Sequence, residues 1–104
     1  MRTVAETPIF IRYASEIWSE AERQEFITFI AANPEAGAVI RGNGGCQKVR
    51  WSRSGIGKRG GARVIYFVAA DEVVWLLIVY AKAKFDALPT SFLAQLRQGV
   101  ENAL

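Results

Sequence analysis

Histidine is absent from the 104-residue sequence, and with it go the usual neutral-pH general base, the Ser-His-Asp triad and most transition-metal sites. Cysteine occurs once, at Cys46, so no intramolecular disulfide can form and no Cys-x-x-Cys pair exists to hold zinc. That usage fits a reducing, intracellular setting. Aspartate is nearly as scarce: only Asp71 and Asp86 are present, and the eight glutamates fall mostly on segments that read as exposed helix faces. A carboxylate-bound magnesium site is therefore not expected, nor any other metal or cofactor. The opening Met1-Arg2-Thr3-Val4-Ala5-Glu6 carries no apolar stretch of the secretory kind. The longest apolar run, Val73 to Ala83, is interrupted by Lys82 and falls far short of the ~20 residues a membrane span needs. The expectation is a soluble cytoplasmic protein without membrane partners, whose catalysis, if any, runs on Lys, Arg, Tyr or Ser.

What is present is enough apolar sequence for one core. With 51% hydrophobic residues, residues 1–104 read as a single compact domain, since a chain of this size buries roughly two-thirds of its unfolded surface. The net charge of +3 hides a strong asymmetry: residues 1–40 carry −3, residues 41–84 carry +7 and residues 85–104 carry −1. Arg41, Lys48, Arg50, Arg53, Lys58, Arg59 and Arg63 crowd a stretch with no acid from Ala36 to Ala70. Such a block reads either as a solvated surface or as a binding face for a polyanion such as nucleic acid.

Local signals place these residues on elements. A short strand is expected at Thr3 to Glu6. Thr7-Pro8 reads as an N-cap with proline at the first helical position, followed by Phe10, Tyr13, Ala14 and Ile17 at helical spacing. Ser19-Glu20-Ala21-Glu22 is a capping-box pattern opening a second helix with the apolar stripe Phe26, Ile27, Phe29 and Ile30. Asn33-Pro34 ends it, because the residue before proline is pushed out of the helical region.

After the turn at Gly42-Asn43-Gly44-Gly45, the residues Cys46 to Trp51 alternate, putting Gln47, Val49 and Trp51 on one face and Cys46, Lys48 and Arg50 on the other. Ser52 to Gly61 is too glycine-rich for regular structure and reads as a basic hairpin loop. Ala62 to Val68 and Val73 to Tyr80 read as two further strands, the second buried on both faces, with Tyr80 and Lys82 on one side. Phe92, Leu93, Leu96 and Val100 mark a final amphipathic helix. The expected order is β-α-α-β-β-β-α, an α+β fold in which an N-terminal helical hairpin and a C-terminal helix pack on a small, mainly antiparallel sheet.

Two features invite a sharper reading. Gly-Ile-Gly-Lys-Arg-Gly-Gly at 55–61 lacks P-loop spacing and precedes no helix, so nucleotide binding is disfavoured. A basic loop closing over a nucleic-acid backbone is more consistent with it. The tryptophans read first as core; Trp51, adjoining Arg50 and Arg53, is also a candidate base-stacking platform.

The runs Gly44-Gly45-Cys46-Gln47-Lys48-Val49-Arg50-Trp51, Gly57-Lys58-Arg59-Gly60-Gly61-Ala62-Arg63-Val64-Ile65-Tyr66 and Leu76-Leu77-Ile78-Val79-Tyr80-Ala81-Lys82 resemble the RelE superfamily of toxins, specifically its HigB-like branch. The resemblance spans nearly the whole chain. It implies a toxin of a type II toxin-antitoxin system that cleaves mRNA in the ribosomal A site and is neutralised by a small antitoxin, expected to be a helix-turn-helix protein encoded beside it. It places RNA-binding or catalytic basic side chains at Lys48, Arg50, Arg63 and Lys82, adds Tyr80 as a candidate, and makes Lys58 and Arg59 phosphate or ribosomal RNA contacts. The expected catalytic set is thus Arg63, Lys82, Tyr80 and Lys48, and the expected RNA contacts are Arg50, Lys58 and Arg59 with their sequence neighbours Arg53, Trp51 and Lys84. Where relatives commonly read Tyr-Ala-Lys-Asn-Glu, this chain reads Tyr80-Ala81-Lys82-Ala83-Lys84, and Leu88 stands where some carry a catalytic tyrosine.

Cleavage of this kind uses the RNA's own 2′-hydroxyl to attack the adjacent phosphate and requires neither metal nor histidine. It needs charge stabilisation at phosphorus, a proton acceptor and a proton donor. Arg63 suits the first role, because guanidinium binds phosphate oxygens bidentately and does not act as a base. Lys82 or Lys48 suits the others, since an amine among like charges gives up its proton more readily. The competing readings are a non-enzymatic gyrase-binding toxin resembling ParE and a degenerate member that only binds its antitoxin.

Overall fold

The computed structural model describes residues 1–40, 45–51, 61–81 and 89–103. Three helices pack on a five-stranded, mostly antiparallel sheet in an α+β arrangement. The elements run β1 (Val4–Glu6), α1 (Pro8–Ile17), α2 (Glu20–Ala32), β2 (Ala38–Val39), β3 (Gln47–Trp51), β4 (Ala62–Val68), β5 (Val74–Ala81) and α3 (Thr90–Ala103). The spatial order is β1-β5-β4-β3-β2, with β1 parallel to β5 and every other pair antiparallel.

Both helix starts follow their side-chain caps. The Thr7 hydroxyl accepts the Phe10 N–H at 3.1 Å, with Pro8 at the first helical position. Ser19 accepts the Glu22 N–H at 3.2 Å while Glu22 accepts the Ser19 N–H at 3.0 Å, closing the capping box. The sequence reading lacked β2, which has two residues and no alternation to betray it. It pairs through Ala38↔Lys48 and Val39↔Gln47 and forms one edge of the sheet.

Its approach is fixed at Gly37, where a side chain would meet Tyr66 Oη at 2.8 Å and the Lys48 carbonyl oxygen at 2.9 Å. The Gly37 N–H donates to Tyr66 Oη, which in turn donates to the Pro34 carbonyl, each at 2.8 Å. Glycine at 37 thus lets the buried phenol satisfy its hydrogen bonds.

The sheet has a core on each face. Toward α1 and α2, Phe10, Ala14, Phe26 and Ile30 meet Val49, Val64, Tyr66, Leu76 and Val79. Toward α3, Leu93 and Val100 meet Cys46, Ile65, Phe67, Leu77, Ile78 and Tyr80. This double burial explains why β5 is apolar along nearly its whole length. Among the described residues, no helix is long and apolar enough to cross a membrane.

Candidate nucleic-acid interface

Alternation along β3 sends Val49 and Trp51 into the core beneath the helical hairpin and Cys46 into the core on the α3 side, so Lys48 and Arg50 lie on the α3 side too. Along β4, Ala62 and Val64 face the hairpin while Arg63 shares the α3 side with Ile65. The register then sets Arg50 opposite Arg63, and Arg63 opposite Tyr80. Arg50, Arg63 and Tyr80 form one row across three strands, with Lys48 two residues along β3 from Arg50 on the same face. The row lies at the end of β4 and β5 away from their connecting turn, which is closed by the Ala69 N–H to Val73 O bond of 2.9 Å.

Solvent access falls along the row. Lys48 and Arg50 are exposed, Arg63 is half-buried and Tyr80 is 2% exposed. Burial pushes the Tyr80 phenol above its ordinary pKa, and the nearby Arg63 guanidinium opposes that shift only in part. Tyr80 therefore stays neutral at physiological pH, able to donate a hydrogen bond or a proton and unsuited to act as a base. None of Lys48, Arg50 and Arg63 forms an ion pair with a described residue. Two like charges directly opposite on neighbouring strands repel, and an anion lying between them would relieve that repulsion.

The structure separates some residues that the sequence grouped. Trp51 lies on the other side of the sheet, its ring centroid 4.7 Å from that of Phe29 and 5.4 Å from that of Phe26. Adjacent strand residues face opposite ways, so closeness in sequence to Arg50 separates them in space. Arg53, Lys58, Arg59, Lys82 and Lys84 lie outside the described residues. Arg97 is a basic residue the sequence reading did not connect with this face: α3 carries its guanidinium 5.2 Å from the centroid of the Phe67 ring. Phe67 lies four positions from Arg63 along β4, or about 13 Å of strand, so Arg97 covers a different stretch of β4 from the one that carries the row. An apolar cavity of about 350 Å³, lined by Thr7, Trp75, Leu77, Leu96 and Val100 among others, contains none of these basic residues.

No protein-family model matches the chain. Among solved structures it is similar to the E. coli toxin RelE, determined as a mutant in the free state, with a TM-score of 0.62 and 18% sequence identity, covering 92% of this chain and 96% of that one. The three helices and five-stranded sheet described above thus form a RelE-like α+β fold.

Proposed function

We propose that this protein is the toxin of a type II toxin-antitoxin pair, a single HigB-like domain that cleaves mRNA in the ribosomal A site. The observation that carries the reading is the in-register row Arg50, Arg63 and Tyr80, with its two opposed guanidinium groups and adjacent Lys48, on a RelE-like fold. Arg63 holds the scissile phosphate and stabilises the charge that develops on its non-bridging oxygens. The 2′-oxygen attacks phosphorus as its proton passes to Lys82 or Lys48. The P–O5′ bond breaks, the leaving oxygen takes a proton from the other lysine or from Tyr80, and a 2′,3′-cyclic phosphate and a 5′-hydroxyl result. Arg50, together with Arg53, Lys58, Arg59 and Lys84, contacts the flanking phosphates.

A cationic site that lacks a strong base is a weak nuclease unless its substrate arrives bent for in-line attack, which the ribosome can supply. The cationic face suits an antitoxin with acidic or apolar segments, here a helix-turn-helix protein. The setting is the cytoplasm.

The test is cell-free translation of a defined mRNA with new 5′ ends mapped, run with and without ribosomes. We expect cuts within the reading frame only when ribosomes are present. Intact mRNA at protein concentrations that arrest growth would reject this function in favour of another target, such as gyrase.

A further inference from the structure

Tyr80 reaches the basic face through an irregularity in β5. Ile65 pairs with Ile78, but Tyr66 pairs with Leu76, leaving Leu77 as an extra residue in the strand. In an unbroken strand Trp75, Leu77 and Val79 would share one face and Leu76, Ile78 and Tyr80 the other. Instead Leu77 and Ile78 both enter the core on the α3 side, Val79 turns toward the helical hairpin, and Tyr80 joins the face of Arg63. The bulge reverses the side-chain phase for the rest of the strand.

The carbonyls of Leu76 and Leu77, at the irregular step, both lie within reach of one side chain of the neighbouring segment. The Thr7 hydroxyl shares its one proton between the carbonyl oxygens of Leu76 and Leu77, both at 3.0 Å, and the Thr7 N–H donates to the Leu76 carbonyl at 3.2 Å. The same hydroxyl oxygen accepts the Phe10 N–H as the cap of α1. A single hydroxyl thus ties the start of α1 to the irregular part of β5. We infer that Thr7 is a positioning residue: by clamping the bulge at Leu77 it sets Tyr80 on the face of Arg63 and Arg50. The placement stands on geometry alone, and its consequence for cleavage rests on the function proposed above.

Three variants separate this role from helix capping. Thr7→Ser keeps both the acceptor and the donor; Thr7→Val keeps the shape and loses both. Thr7→Asp retains a good N-cap but turns a carboxylate oxygen toward two carbonyl oxygens, so it caps without clamping. Nuclear Overhauser contacts between the Tyr80 ring and the Arg63 side chain, measured with labelled tyrosine, report the phase directly. They are expected in the wild type and in Thr7→Ser, and lost or weakened several-fold in Thr7→Asp.

Single-turnover cleavage should fall roughly tenfold to a hundredfold in Thr7→Asp, with Thr7→Ser near wild type, as expected for misplacement by about 1 Å. A folded Thr7→Asp protein with unaltered Tyr80 contacts would overturn the inference and leave Thr7 as a cap. Should the variants not fold, absence of the Tyr80–Arg63 contacts in the wild type would overturn it equally. Altered Tyr80 contacts with undiminished cleavage would support the clamp while counting against Tyr80's part in the chemistry.

Discussion

Replacing Arg63 by alanine is expected to lower the single-turnover cleavage rate on mRNA-programmed ribosomes by about 10²–10³-fold, the range found when one preorganised donor is removed from a developing oxyanion. Arg63 stands between Arg50 on β3 and Tyr80 on β5, and of the three it alone is both cationic and partly sheltered from water. Charge stabilisation is stronger there than at the exposed Lys48 or Arg50. Arg63→Lys should recover only part of the loss, because an ammonium lacks the planar fork that grips two phosphate oxygens.

Stability should change little, since the substitution removes a like-charge opposition and leaves Ile65 and Val64 packed as before. Arg50→Ala, at the exposed end of the row, should act mainly on binding and reduce its salt dependence. A denaturant titration beside the cleavage assay checks both halves of the expectation. An Arg63→Ala protein cleaving within twofold of the wild type would remove Arg63 from the chemistry.

The largest effect on folding is expected at Phe26, far from that row. Its side chain is fully buried at the centre of an aromatic cluster, with ring centroids at 5.4 Å from both Trp18 and Trp51 and 6.4 Å from Phe29. Phe26→Ala should cost about 3–5 kcal/mol through lost burial and the cavity left among rigid rings. For a small domain whose whole stability is about 5–15 kcal/mol, that is enough to populate the unfolded state under mild conditions. Urea unfolding followed by tryptophan fluorescence reads it directly, because Trp18 and Trp51 both border the gap. A loss below about 1 kcal/mol would show that the cluster closes around the smaller residue.

The helices were legible because each announces its start in a few residues. Thr7-Pro8 and Ser19 with Glu22 make the caps that the spacing predicts, and Asn33-Pro34 closes α2. The alternation of Cys46 to Trp51 likewise gave the two faces of β3 correctly. Two things lay beyond it. The strand Ala38–Val39 is too short to carry a period, and its position depends on the distant phenol of Tyr66. The bulge at Leu77 is silent because β5 is buried on both faces, so an extra apolar residue breaks no visible pattern. The separation of Trp51 from Arg50 is already contained in the alternation, because adjacency in a strand means opposite faces. For the site itself, the basic residues were legible as a charge block and their roles came from the family resemblance. What the fold adds is the lateral order Arg50, Arg63, Tyr80, which depends on strand register between residues far apart in sequence.

The central claim is that this basic row promotes attack by the RNA's own 2′-hydroxyl. Its most direct test is single-turnover cleavage of ribosome-bound mRNA carrying one 2′-deoxynucleotide immediately 5′ to a mapped cut. The account predicts that cleavage at that bond disappears, while the all-ribose message yields a 2′,3′-cyclic phosphate and a 5′-hydroxyl at the same place. Continued cleavage at the deoxy position would mean that an external nucleophile does the work, and would contradict the roles given to Arg63, Tyr80 and the lysines.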